Sequence, residues 1–311
     1  MLIKPAQYFP IEKSLYEVKP GLRALNTDFG NGPQDNLLFQ IDSRFEVFRK
    51  NKLKCRKERL SKYFVTHALE AKAEIFINHF LIQRLLLEHP NFFQLRSENE
   101  FNILECKLTH ETLYYNSQYS LIKAVTQVTP PYSCLLDALC SQFQEDLASI
   151  FLAPDGKDYL SLLHLCSPSH WAAEEKIGKN FFEVHKPIPG IEKINAASKQ
   201  FVEAMIYKGP YVRFVWGISQ DTELNHHPEN YPHYNHDYPF VVRIERQVTY
   251  GLPEINMGLF FIHVYFMTPE EILQNEAKKD LLKSALLSMS PESLSYKGVG
   301  ENRETILRLL S

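Results

Sequence analysis

Residues 143–190 read FQEDLASIFLAPDGKDYLSLLHLCSPSHWAAEEKIGKNFFEVHKPIPG, and the interpretation of the whole chain turns on them. Asp155-Gly156 stands between two apolar runs, 147–152 and 159–166, which is the composition of a tight hairpin turn. Ser167-Pro168 then offers an N-cap followed by proline at the first helical position, where its missing N–H is no loss. Gly178 closes that short helix by taking φ > 0. The segment ends in His185-Lys186-Pro187-Ile188-Pro189-Gly190, which cannot be helix, because each proline drives its predecessor to an extended conformation and lacks a donor. A histidine at the start of such a stiff segment is well placed to be a ligand.

Working outward, a chain of 311 residues with 44% hydrophobic content can bury a sizeable core, as one large domain or two. A formal charge of −3 argues against nucleic acid as the main partner, since neutralising phosphates needs a basic surface or stripe. The basic run 49–59, with seven Lys or Arg in eleven residues, reads as a solvated helix face. The opening MLIKPAQYFP has no apolar core, and nowhere do about eighteen apolar residues run together, so neither a signal peptide nor a membrane span is expected. Cys55, Cys106, Cys134, Cys140 and Cys166 are scattered without a C-x-x-C pair. That pattern reads as a reduced cytoplasmic protein without structural zinc or a cysteine-held iron–sulfur cluster.

Residues 1–60 are rich in turn formers and read as an arm lying over a single α+β domain spanning 61–311. Apolar spacing predicts a helix over 64–87 stopped by Pro90, a strand pair at 102–108 and 112–115, and a helix over 132–148. Beyond the central segment it predicts a helix over 191–207, strands at 211–218, 240–250 and 257–267, and helices at 269–289 and 301–310. The architecture this implies is a largely antiparallel sheet with helices to one side.

Alternation sharpens the strand readings. In 240–250 one face carries Val242, Ile244, Arg246 and Val248, the other Arg243, Glu245 and Gln247. Arg246 therefore sits among apolar neighbours and needs an anionic partner, either an internal Asp or Glu or a carboxylate of a ligand. His263 lies with Leu259, Phe261 and Tyr265 by the same parity. No G-x-S-x-G, G-x-x-x-x-G-K-[ST], H-E-x-x-H or G-x-G-x-x-G occurs. The polar loop 220–239 holds His226, His227, His233 and His236, which read either as capping and surface residues or as a transition-metal site gathered around His233 and His236.

Four ordered blocks, LLHLCSPSHWAAEEKIGKNFFEVHKPIPG, FVEAMIYKGPYVRFVWGISQDTELNHHPE, VVRIERQVTYGLPEINMGLFFIHVYF and SMSPESLSYKG, together resemble the haem-dependent oxidative N-demethylase alpha-subunit-like family. The similarity extends from Gly21-Leu22-Arg23-Ala24-Leu25 and Gln40-Ile41-Asp42 to Tyr296-Lys297-Gly298. The chain departs from the family pattern at Ser169-His170 and at His263.

The resemblance implies a PAS-like haem-binding body in which a b-type haem is held by a proximal histidine and its open face uses O₂ to oxidise a small secondary amine such as dimethylamine. The family's H-x-P-V-P pattern reads here His185-Lys186-Pro187-Ile188-Pro189, which makes His185 the proximal ligand. Arg213, Arg243 and Arg246 are then the candidates to answer the propionates, with Trp216 as a further cofactor contact. Glu245, Tyr159 and Tyr211 are candidates to take the ammonium proton or position the nitrogen. Electrons would come from separate flavin and iron–sulfur reductase subunits, since neither motif occurs in this chain. The alternatives are a non-catalytic PAS-like haem or small-ligand sensor and a haem-free protein holding a metal in its histidine loop.

Overall fold

The alternating strands 241–252 and 257–267 are joined by Pro253–Ile255 and by Asn256, whose left-handed φ of +52° closes the turn. They form the centre of the sheet on which everything else is laid. The computed structural model describes residues 2–230 and 236–311. In chain order its elements are β1 (Arg23–Ala24), α1 (Phe45–Tyr63), β2 (Phe64–Thr66), α2 (Ala71–Glu88), β3 (Phe93–Glu98), β4 (Phe101–Cys106), β5 (Glu111–Tyr115) and β6 (Leu121–Val125). There follow α3 (Leu135–Cys140), β7 (Asp146–Leu152), β8 (Asp158–His164), α4 (Ala173–Lys176), α5 (Phe181–His185), α6 (Glu192–Ala196), α7 (Ser198–Tyr207) and β9 (Tyr211–Ser219). The last are β10 (Val241–Leu252), β11 (Met257–Met267), α8 (Pro269–Leu273), α9 (Glu276–Ser288), α10 (Pro291–Tyr296) and α11 (Arg303–Leu309).

The main sheet is antiparallel throughout, in the order β1-β9-β10-β11-β7-β8-β2. A second antiparallel sheet, β3-β4-β5-β6, sits beside α2 and α3. The fold is thus α+β with a large antiparallel sheet, but helices cover both faces of it rather than one. One face carries Val212, Trp216, Ile244, Val248, Phe261 and Tyr265, buried under α2, α3, residues 2–42 and the C-terminal helices. The other carries Ala148, Ile150, Phe260 and Ile262, packed by α4 to α7. β11, covered on both faces, is apolar on both, whereas β10 keeps Arg243, Glu245 and Gln247 on the face toward α4 to α7.

Several boundaries depart from expectation for local reasons. Phe64-Val65-Thr66 is aromatic and β-branched and pairs with β8, so the helix expected from 64 begins at Ala71. The helix expected over 132–148 ends at Cys140. From Asp146 the chain pairs with β11 and β8, and tertiary pairing overrides helical spacing. The helix expected over 191–207 breaks at Ala197 into α6 and α7. Ser167-Pro168 caps no helix, because the Ser167 N–H donates to Asp146 Oδ2 at 2.6 Å and the helical turn waits until Ala173.

The basic run is not simply a solvated face. Arg49, Lys52 and Arg56 recur at helical spacing along α1 and are all buried. Arg49 pairs with Glu111, Arg56 with Asp137, and Lys52 Nζ donates to the carbonyls of Cys140, Phe143 and Glu145. These pairs tie α1 to the second sheet, to α3 and to the segment leading into β7, with each charge met by an anion or by carbonyls, as burial requires. Among the described residues, no helix is long and apolar enough to cross a membrane.

Candidate functional site

α5 is short, and its ends are defined by side chains. The Glu183 N–H donates to Asn180 Oδ1 at 2.8 Å and the Asn180 N–H to Glu183 Oε2 at 3.0 Å, a reciprocal capping box. The Phe181 N–H donates to Asp158 Oδ2 at 2.6 Å, which pins the helix to the start of β8. Pro187 and Pro189 end it at the far side, but His185 is its last residue rather than the start of an extended run, and Lys186 before Pro187 keeps helical angles of φ −48°, ψ −36°.

The His185 ring stacks on Phe181 with centroids 4.1 Å apart, and its Nδ1 donates to the Phe181 carbonyl at 2.8 Å. That bond sets the tautomer: Nδ1 carries the proton and Nε2 presents a lone pair. Among the described residues, Nε2 has no hydrogen-bond partner. Burial holds the ring's pKa below the usual histidine value, and the nearby Arg213 guanidinium adds to this against the pull of the Phe181 carbonyl. A neutral imidazole with one nitrogen tethered to a carbonyl and the other free is the form in which histidine binds a metal.

The sheet face opposite α5 is polar at its centre. Arg213 on β9 lies across from Gln247 on β10, and Glu245 is two residues from Gln247 on the same face. Gln247 Nε2 donates to Glu245 Oε2 at 2.9 Å, fixing the carboxylate. Burial lowers the Arg213 pKa, with Glu245 acting in the opposite direction, and its Nε is buried without a partner. Tyr211 stands on this face too, two residues from Arg213 along β9 and across from Thr249.

Arg243 occupies the far end of the same face. Its guanidinium donates to the carbonyls of Ser167 at 2.7 Å, Leu224 at 3.0 Å and Glu223 at 3.0 Å, and lies 5.5 Å from the Phe266 ring. Three remaining candidates stand elsewhere. Arg246 faces the opposite side, where its Nη2 donates to the carbonyls of Leu37 at 2.7 Å and Asp35 at 3.1 Å. Carbonyls rather than an internal carboxylate meet that Nη2, its Nε and Nη1 are buried without a partner, and among the described residues it makes no ion pair. Trp216 is on that opposite side as well, edge-on to Tyr16 with centroids 6.2 Å apart. Tyr159 lies on β8, three strands from β10, between His67 and Phe151.

The loop histidines are engaged individually. His226 Nε2 lies 2.8 Å from Asp221 Oδ1, His227 Nε2 lies 3.3 Å from Glu174 Oε2, and His236 Nδ1 lies 2.7 Å from Gln220 Oε1. His233 falls outside the described residues. Among the described residues no group of three or more His, Cys, Asp or Glu is arranged to hold a metal ion. His263, reached by parity alone, bonds Glu145 at 2.8 Å and stacks on Tyr265 in the opposite layer.

One residue at the edge of the sheet, Lys297, escaped the sequence reading; its ammonium lies 5.6 Å from the Trp216 ring. Lys297 Nζ donates to the Trp216 carbonyl at 2.5 Å, and its own carbonyl accepts from the Ile218 N–H at 2.7 Å, so the C-terminal segment docks along the open edge of β9. Burial lowers the Lys297 pKa to about 8, Glu245 raising it and Arg213 lowering it further. The only signal was its place in Tyr296-Lys297-Gly298, since no periodicity marks a lysine after a short helix as facing inward.

The molecule is therefore an α+β protein whose antiparallel sheet sets a polar patch of Arg213, Glu245 and Gln247 opposite a histidine with one ring nitrogen to spare. A family model described as haem-dependent oxidative N-demethylase, alpha subunit-like, matches residues 32–307. The chain belongs to that family. The family's description is of a haem-dependent activity and of one subunit of a multi-subunit enzyme.

Proposed function

We propose that this chain is the haem-binding subunit of an oxygenase that removes a methyl group from a small secondary amine, in which His185 would hold the iron of a b-type haem. The observation that carries the reading is the His185 ring, whose Nδ1–H is committed to the Phe181 carbonyl while Nε2 has no partner among the described residues. The residues present fit the group: a neutral donor nitrogen, buried Arg243 and partly buried Arg213 on the same sheet face, and Phe181 and partly buried Phe260 and Ile262 as apolar walls. The strand order supports a PAS-like body. A hairpin is followed by helices over one face, then by a meander whose last strand returns beside the hairpin's first.

Of the cations named for the propionates, Arg213 and Arg243 share the face toward α5, while Arg246 does not. An iron porphyrin held there supplies the oxidising chemistry with O₂. The overall change is that one N-methyl carbon becomes formaldehyde, the nitrogen leaves as the primary amine, and the second oxygen atom leaves as water. Two electrons and two protons come from separate flavin and iron–sulfur reductase subunits. Within this chain, Glu245 accepts the ammonium proton so that the nitrogen lone pair is free, and Gln247 holds the carboxylate in place. Tyr211, on the same face, orients the amine. Tyr159 lies too far along the sheet to join them and serves the hairpin's packing.

Absorption spectroscopy on protein produced with ample haem tests the ligand. Wild-type protein should show a Soret band that is lost or displaced in His185→Ala. An unchanged iron-ligand spectrum in that variant would move the ligand to another histidine. Formaldehyde release on addition of dimethylamine and an electron donor separates an enzyme from a sensor, which would bind haem without turnover.

A further inference from the structure

The basic run of α1 divides into two sets. Of the seven Lys and Arg in 49–59, four are answered within the fold: Arg49 by Glu111, Lys52 by carbonyls, Arg56 by Asp137, and Arg59 by Glu229 at 3.3 Å and Glu174 at 3.7 Å. The others, Lys50, Lys54 and Lys57, are exposed and make no hydrogen bond or ion pair among the described residues. Their i, i+4 and i, i+7 spacing sets them on one face of the helix, along about 10 Å of its length. Val47, 49% exposed, stands on that face one turn before Lys50.

Like charges at these spacings weaken a helix, so the fold gains nothing by grouping them. The acidic groups at the edges of the stripe do not cancel it. Glu58 is held by Lys62 at 2.7 Å and by the Tyr63 hydroxyl at 2.8 Å, and Glu46 lies in the first turn, where the helix dipole favours a carboxylate. On a chain of formal charge −3, the stripe is a local excess of positive charge. α1 also borders the His185 side of the sheet. It packs on α4, which covers that side, and Asn51 Nδ2 donates to the Cys166 carbonyl at 2.7 Å, next to the Ser167 carbonyl that Arg243 holds.

We propose that Lys50, Lys54 and Lys57, with Val47 at their head, dock the subunit that delivers electrons, through a carboxylate-rich patch on that subunit. The step rests on the reading given above, in which the electrons come from a separate protein. Lysines are point charges on flexible stems, and such a rim speeds a transient encounter more than it tightens the complex. A lipid surface or a nucleic acid suits the face less well. It bears one exposed large apolar side chain, and its three charges neutralise few phosphates.

Flavodoxin, an acidic one-electron carrier, serves as the probe, and surface plasmon resonance follows its association with the full chain without porphyrin. Wild-type association should be faster at about 0.02 M than at about 0.3 M salt, since screening shortens the reach of the stripe. Lys50→Gln/Lys54→Gln/Lys57→Gln should slow it about 10-fold at low salt and flatten the salt dependence. Lys72→Gln/Lys107→Gln/Lys208→Gln removes the same charge from exposed lysines elsewhere and should behave as wild type.

Unchanged association in the stripe variant, or equal slowing in both variants, would overturn the proposal. So would loss of binding to phosphatidylserine vesicles in the stripe variant with none toward flavodoxin, which would make the face a lipid contact. In haem-loaded protein one electron passes from the reduced flavin to ferric iron. The stripe variant should slow that transfer by a similar factor and leave reduction by dithionite, which needs no docking, unchanged. A failure of the haem reading looks different: no Soret band in wild type, with the salt-dependent association and its loss in the stripe variant still present.

Discussion

His185 and Arg243 differ in what the backbone around them consumes. The His185 ring commits one nitrogen to a carbonyl and keeps the other, while Arg243 donates to three carbonyls. Lys297, at the edge of β9, carries the lysine pKa that the fold shifts. Its pKa is about 8 in the fold against an ordinary 10.5, chiefly through burial. Between those values the unfolded chain binds the proton and the folded one does not. Stability from this group therefore rises with pH across that window, by about 1–3 kcal/mol. Buried cysteines and tyrosines whose pKa values are raised make both proteins lose stability towards alkaline pH, so urea unfolding at pH 7.5 and pH 10.5 should show the Lys297 contribution as a smaller loss in wild type than in Lys297→Met. An equal change in both proteins would show that Lys297 keeps its ordinary titration in the fold.

At the scale of elements, the site depends on how closely the helices over α5's face approach the sheet. A Cβ on Gly251 would lie 1.9 Å from the Ile206 carbonyl oxygen, so α7 rests directly on the backbone of β10. Gly251→Ala should push α7 away and cost about 3 kcal/mol or more, beyond the range of ordinary overpacking because the obstacle is backbone. Gly156, in the hairpin turn at φ +83° with open space around it, sets the contrast. Gly156→Asn should cost about 1 kcal/mol or less, since asparagine tolerates the left-handed region. Comparing the two melting temperatures checks both.

The hairpin turn, the strands 211–218, 240–250 and 257–267, and the pair at 102–108 and 112–115 were legible because each carries its own signal. That signal is a run of β-branched or aromatic residues bounded by turn formers. The helix expected over 132–148 was not, because helical spacing continues into Asp146–Leu152 and only pairing with β11 and β8 decides against it. Arg213 was found as a cation on a strand. That its donors are unspent, unlike those of Arg243, could be known only once the loop carbonyls had been placed.

At the scale of the whole molecule, the residues before α1 are part of the cores rather than a detachable cover. Ala6, Tyr8 and Ile11 pack with Trp216, Ile244 and the C-terminal helices, and Leu38 and Phe39 pack against α2 and α3. Tyr8 also donates to Asp35 at 2.8 Å and accepts from Gln40, whose Oε1 receives the Tyr265 hydroxyl. Deleting residues 2–20 removes that layer from one end of the sheet. It should cost roughly 5 kcal/mol, or about 8 °C in Tm, as one cooperative transition. A second, separate transition in calorimetry would show that the arm is an independent unit.

Taken alone, the sequence determined the antiparallel strands, the proline-bounded histidine and the family, because each is written in neighbouring residues or in ordered blocks. The tertiary structure decided which candidates share a face. Strand parity sends Arg246 and Trp216 to one side of β9 and β10 and Arg213, Glu245 and Tyr211 to the other, but which side meets α5 is set by chain crossings between distant segments. The same holds for Lys297. It docks on the edge of β9 through a backbone bond from Ile218, made possible by the missing side chain of Gly298, and the consequence of that close approach exists only when the chain is folded.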